Sequence, residues 1–237
     1  MRLALLQIRI RPGARSANLA HALRRVVRAA ETDPPPDLIV LPAWCDGHSG
    51  GEVSEAMAQG FSESLAAAAR EWGVYLAAGS LQVSGKSAFE RARLYDPDGD
   101  VIARSTKAAA RQVAETSLGR LAVCLDRKGG PAELPHVRCD MLLVLGRWTA
   151  GPKDRRRVAR RLETRLGRLA RRTAAVVCGV GPVTEPAADK GPLCIGGTAA
   201  YGPDGRCLAA AGDRADRTVV VDVRPPAQAR TDRPAKM

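Results

Sequence analysis

The sequence is poor in the rings that usually fill a protein core. Phe, Tyr and Trp together make up 3% of its 237 residues. The interior must be built from aliphatic and small side chains, and alanine clusters such as residues 66–69 and 108–110 supply them. No apolar run approaches the ~20 residues that a membrane helix needs, which argues against a helical membrane protein. The N-terminal stretch MRLALLQIRIRPG has no apolar signal core and no small-residue cleavage site. It reads as a first strand, and the chain as cytoplasmic. Histidine is scarce, and His21, His48 and His136 stand apart, so no metal-ligand spacing is present. Six cysteines are scattered without a CxxC pair, which excludes a zinc ribbon or a small disulfide framework. Hydrophobic residues at 45% and charged residues at 26% exclude a collagen, a mucin or a wholly disordered chain.

Acidic residues are scarce in one segment in particular. Arg147 to Arg172 holds eleven basic residues against Asp154 and Glu163, so it carries +9 of the net +12. Residues 153–172 read as a helix with Val158, Leu162, Leu166 and Leu169 on one face. Arginines on the other face could meet phosphates. Without interleaved aromatics or a nucleic-acid motif, the run reads as a solvated face, and nucleic acid is not the expected partner.

Along the chain, strand and helix patterns alternate. Residues 2–10 alternate as a strand. Ser16 is placed to cap a helix with Leu19, Leu23, Val26, Val27 and Ala30 inward, stopped by Pro34 to Pro36. Residues 37–42 read as a buried strand, and 54–72 as a helix ended by Gly73. Residues 74–79 read as a strand. A hairpin follows around Pro97 and Gly99.

The second half repeats this order. DLIVLPAW matches DMLLVLGRW at an offset of 104, pairing Leu38 with Leu142, Val40 with Val144 and Trp44 with Trp148. YDPDGDVIA matches YGPDGRCLA at an offset of 106. Two β-α-β-α-β-hairpin halves follow, then a last strand at residues 217–223. Two sheets packed face to face with helices outside bury every apolar face. The expected architecture is a four-layer αββα sandwich forming one domain over residues 1–224, with a loose tail at 225–237.

This order resembles the nitrilase, or carbon–nitrogen hydrolase, superfamily. Its landmarks are Leu41-Pro42-Ala43, where the family has Leu-Pro-Glu, then Lys107 after the first hairpin, then Val123-Cys124-Leu125-Asp126, which is similar to the family's Ile-Cys-Tyr-Asp. Gly196-Gly197-Thr198 and the turn Gly202 to Gly205 resemble its late hairpin. The resemblance implies cleavage of non-peptide C–N bonds without a cofactor, by a cysteine, a lysine and a glutamate. It also implies a homodimer and a small amide-like ligand. Thiolate is the reactive form, an ammonium meets the developing oxyanion, and a carboxylate moves the proton.

Cys124 and Lys107 match that set, but Ala43 stands at the glutamate position and cannot carry a proton. A second family glutamate falls on Arg171 or Arg172. Arg127 or Lys128 fits the arginine after the nucleophile. Asp126, Lys128, Trp148 and Arg171 are the candidate pocket residues. The pattern implies a pseudoenzyme, with a decayed amidase site and a role in binding or assembly. One alternative is a working hydrolase with a relocated base, for which Asp46 is a candidate. Another is a polyanion binder acting through residues 153–172. Ala43, Lys107 and Cys124 are expected at one end of the sheets. Cations from Lys107 and Arg171 are expected to lower the Cys124 pKa below the usual ~8.5.

Overall fold

The structure is a computed structural model and describes residues 1–47, 54–84, 87–106, 112–126, 138–184, 193–212 and 215–224. In the first half, β1 (Arg2–Gln7) is followed by β2 (Arg9–Ile10), α1 (Arg15–Ala30), β3 (Leu38–Val40) and α2 (Glu55–Trp72). The strands β4 (Tyr75–Ser84), β5 (Ser87–Tyr95) and β6 (Val101–Ser105) complete it. The second half opens with β7 (Val113–Thr116), β8 (Gly119–Asp126), β9 (Met141–Gly146) and β10 (Thr149–Ala150). Then come α3 (Arg155–Thr173), β11 (Val176–Val180), β12 (Val183–Thr184), β13 (Leu193–Cys194), β14 (Thr198–Tyr201), β15 (Cys207–Gly212) and β16 (Arg217–Asp222).

Two six-stranded sheets result, ordered β16-β1-β3-β4-β5-β6 and β15-β14-β11-β9-β8-β7. Read in opposite directions, the two orders superpose strand for strand. In each, three parallel strands form the centre and antiparallel strands flank them. The expected αββα layering is present. Leu3, Leu5, Val40 and Leu94 of the first sheet pack with Leu121, Val123, Leu143 and Val176 of the second. Leu6, Ile39 and Leu76 face α1 and α2 through Val26, Phe61 and Leu65. Leu142, Val144 and Val177 face α3 through Leu162, Leu166 and Leu169.

The internal repeat extends to single atoms. The Arg2 N–H donates to Asp37 Oδ2 at 2.6 Å, and the Arg120 N–H donates to Asp140 Oδ2 at 2.9 Å. Asp37 N–H returns to Arg2 O, Asp140 N–H to Arg120 O, and both aspartate carbonyls accept from the next parallel strand. Each half thus clamps the start of its central strands with one aspartate. The hairpin turns match as well: Gly99 (φ 81°) sits on Ala66 O of α2, and Gly205 (φ 79°) on Gly167 O of α3. A side chain at either would strike helix backbone, and the positive φ favours glycine besides.

Local expectations need three corrections. The first strand breaks at Ile8, because β2 leaves β1 to pair in parallel with β12. Ser16 lies inside α1, whose cap position is Ala14 without a side-chain bond. The buried residues of α1 are Asn18, Ala22, Val26, Ala29 and Ala30, so Val26 and Ala30 face inward as expected, while Leu19 and Leu23 pack at the margin. Ser54 caps α2 as expected, accepting from the Met57 N–H at 3.2 Å. Finally, β16 pairs with β1, so the last described strand closes on the first. The tail at 225–237 lies outside the described residues. Among the described residues, no helix is long and apolar enough to cross a membrane.

Candidate active site

The parallel strands β3, β4, β8 and β9 end together, where ligand crevices form in α/β sheets. After β3 the chain turns through Leu41-Pro42-Ala43-Trp44. Ala43 is fully buried. A Cβ built on Gly79 of β4 would lie 2.7 Å from Ala43 Cα and 3.3 Å from Leu125 Cδ2. Ala43 is therefore pressed against β4 and faces Leu125, between the sheets.

Cys124 lies on the other side of the same strand. Along β8, Leu121, Val123 and Leu125 enter the layer between the sheets, while Ala122 and Cys124 enter the layer under α3. This is the strand's two-residue alternation. Ala43 and Cys124 sit near the same strand ends but belong to different layers. Burial pushes the Cys124 thiol well above its ordinary value, the Asp126 carboxylate adds to the rise, and Arg165 opposes it. Among the described residues the direction is thus opposite to the expected lowering, because desolvation outweighs the Arg165 cation.

That cation is Arg165, not Arg171. Arg171 is exposed, and its Cγ would lie 2.7 Å from a Cβ at Gly205, so it packs on the hairpin turn. Arg70 does the same in the first half, donating from Nε to Asp98 O at 2.8 Å. Lys107, Arg127, Lys128 and His136 lie outside the described residues.

Asp126 and Trp148 do meet. Asp126 ends β8, is 1% exposed, and accepts from Trp148 Nε1 at 2.9 Å. Its Oδ2 also pairs with Arg165 Nη2. The indole fits because Gly146 and Gly181 leave room: a Cβ there would lie 2.2 and 2.6 Å from ring atoms. Arg165 was not anticipated, although its signal was present. It falls three residues after Leu162 and so borders the buried stripe of the arginine-rich helix.

Two further charged groups lie near these strand ends. Asp46 is fully buried, accepts from the Leu81 N–H at 2.9 Å, and lies 3.4 Å from Arg15 Nη2. Its neighbour Cys45 donates its thiol to Gly79 O at 3.0 Å, and burial first, then Asp46, pushes that thiol up strongly. Glu90 is 1% exposed on the inter-sheet face of β5, sharing parity with Ala92 and Leu94. Arg147, from the second half, reaches within 3.8 Å of Glu90 Oε1 and stacks 4.6 Å over the Trp44 ring. Among the described residues, no group of His, Cys, Asp and Glu could hold a metal ion.

Comparison with known proteins bears on this arrangement. The carbon-nitrogen hydrolase family model matches residues 2–144. The chain belongs to the carbon-nitrogen hydrolase family. Solved structures of an amidase from Nesterenkonia sp. AN1 share the fold. The unmutated NitN amidase has a TM-score of 0.75 at 20% identity, covering 99% of this chain and 97% of that one. A cysteine-to-alanine mutant, in complex with butyramide, has a TM-score of 0.78 at 20% identity, over 99% and 94%. A glutamate-to-glutamine mutant, with the acetamide moiety of fluoroacetamide added covalently at its cysteine, has 0.74 at 19%, also over 99% and 94%. No curated protein matches the chain.

Proposed function

We propose that this family member is a pseudoenzyme, which keeps the carbon–nitrogen hydrolase scaffold and a crevice for a small amide-like ligand but does not turn an amide over. The observation that carries this reading is the orientation of β8. It presents Leu125 to Ala43 and turns Cys124 into the layer beneath α3. Nucleophilic catalysis needs thiol and base within hydrogen-bond reach, and the methyl group of Ala43 offers no base. Losing a general base costs ~10²–10⁴-fold. A thiol held protonated loses a further share, because thiolate is the attacking species.

The alternative in which Asp46 acts as a relocated base is disfavoured by its bonds. Its carboxylate already serves the Leu81 N–H and Arg15, and withdrawing it would leave buried donors open. Complexes of the Nesterenkonia amidase with butyramide and acrylamide suggest the size of ligand to test. Ammonia release from acetamide, butyramide and simple nitriles should stay at the buffer rate. Turnover that disappears in Cys124→Ser would overturn the proposal.

A further inference from the structure

On the far face of the first sheet, a cavity of about 330 Å³ opens where α1, the segment around β2 and the start of β16 meet. Arg9, Arg11, Asn18, His21, Arg24 and Asp216 line it. Asn18, His21 and Arg24 recur at helical spacing on one side of α1. Arg9 and Arg11 are alternate residues of an extended segment and so share a side.

Its walls are fixed by polar bonds. Asn18 is 2% exposed. Its Oδ1 accepts the Arg11 N–H at 3.0 Å, and its Nδ2 donates to Arg11 O at 2.7 Å and Asp46 O at 3.2 Å. On the opposite wall, Asp216 Oδ2 accepts the Arg9 N–H at 3.0 Å and lies 2.6 Å from His21 Nε2. Its Oδ1 is 3.4 Å from Arg25 Nη1. Asp216 is the only carboxylate in the lining among the described residues, and His21 and Arg25 already engage it. Arg11 and Arg24 form no ion pair with a carboxylate among the described residues. Two arginines without a carboxylate partner therefore border a concave site whose backbone is held in place.

We infer that this cavity binds a small phosphate-bearing anion through Arg11 and Arg24. A guanidinium fork matches two phosphate oxygens in one plane. Two forks suit a doubly charged group better than a single carboxylate, which one fork satisfies. The cavity is too small for a macromolecule and large enough for a phosphate monoester.

The test uses the full chain at low ionic strength, titrated calorimetrically with inorganic phosphate, pyrophosphate and acetate. Phosphate and pyrophosphate should bind saturably at one site, with acetate at least about tenfold weaker. Arg11→Gln combined with Arg24→Gln should weaken phosphate at least about tenfold. The melting temperature without ligand should stay unchanged, because both side chains are exposed. Arg156→Gln with Arg160→Gln, on the arginine-rich helix, should leave phosphate binding as it was. The inference fails if phosphate does not bind, if acetate binds as well as phosphate, or if the Arg156/Arg160 pair and not the Arg11/Arg24 pair abolishes binding.

Discussion

Replacing Asp126 by alanine removes the acceptor of Trp148 Nε1 and the partner of Arg165 in one step. The carboxylate is 1% exposed, whereas the Arg165 side chain keeps 23% of its surface in water. Breaking a fully buried pair costs about 3–5 kcal/mol, mainly from the charge left behind. Arg165 can recover some hydration, so the lower end, about 3 kcal/mol, is expected. For a chain of this size that lowers the melting temperature by about 6–12 °C. Asp126→Asn keeps an oxygen for the indole and should cost about half as much. Arg165→Met should also destabilise, because it leaves the carboxylate with the indole but without its cation. The double variant Asp126→Ala/Arg165→Met should lose less than the sum of the singles, with a coupling of about 1–3 kcal/mol. Urea unfolding of the four variants and the unsubstituted protein measures all of these. A loss below about 1 kcal/mol for Asp126→Ala, or strict additivity, would refute the view that this cluster holds α3 to the end of β8.

In the native protein, iodoacetamide at neutral pH should label exposed Cys207 well before Cys124, which is fully buried; peptide mapping over time reads the order. Ala43→Glu should not restore a base but destabilise by at least about 3 kcal/mol, through overpacking against Gly79 and Leu125 and a buried charge; a urea midpoint shift checks it. Burial raises the folded pKa of Cys178 to about 12 and of Cys139 and Cys194 to about 11, above the reference thiol at 9.0. Their contribution is intact below pH 9 and is lost as pH rises from there towards 11–12, by about 1.4 kcal/mol per unit per thiol. Unfolding midpoints between pH 8 and 11 should fall accordingly, and Cys178→Ala should make that fall shallower.

The repeat at offsets 104 and 106 was legible because its carriers are local. Proline and glycine mark the turns, and short apolar runs mark the strands. Those signals located β3 with β9 and the two hairpins, and hence the paired sheets. The facing of β8 was not legible. Its residues are apolar on both sides, so Leu121, Val123 and Leu125 present no polarity contrast to Ala122 and Cys124. In a strand covered on both faces, alternation carries no label for either one. Which face meets Ala43 is fixed by register with β9, where Cys124 pairs with Val144. Arg165 was hidden for another reason. Its long stem follows the apolar stripe while its head reaches Asp126, and in composition it looks like its exposed neighbours Arg161 and Arg168.

Trp44 and Trp148 show how a symmetric scaffold diverges at its strand ends. Trp44 and Trp148 are 104 residues apart and follow equivalent strands. Trp44 lies under the Arg147 guanidinium, which also approaches Glu90, so that this contact joins the first half to the second. Trp148 instead donates to Asp126 within its own half and lies against the glycines of β9 and the β11–β12 link. A hydrolytic site needs thiol, base and cation free to face one point between the sheets. At these strand ends Asp46 supports the start of α1 through Arg15 and β4 through Leu81, Glu90 faces Arg147, and Asp126 anchors α3. Among the described residues, each of these three carboxylates is thus engaged in holding an element in place. Freeing Asp46, Glu90 or Asp126 to act as a general base would require releasing one of these bonds, with a loss of stability comparable to that expected for Asp126→Ala.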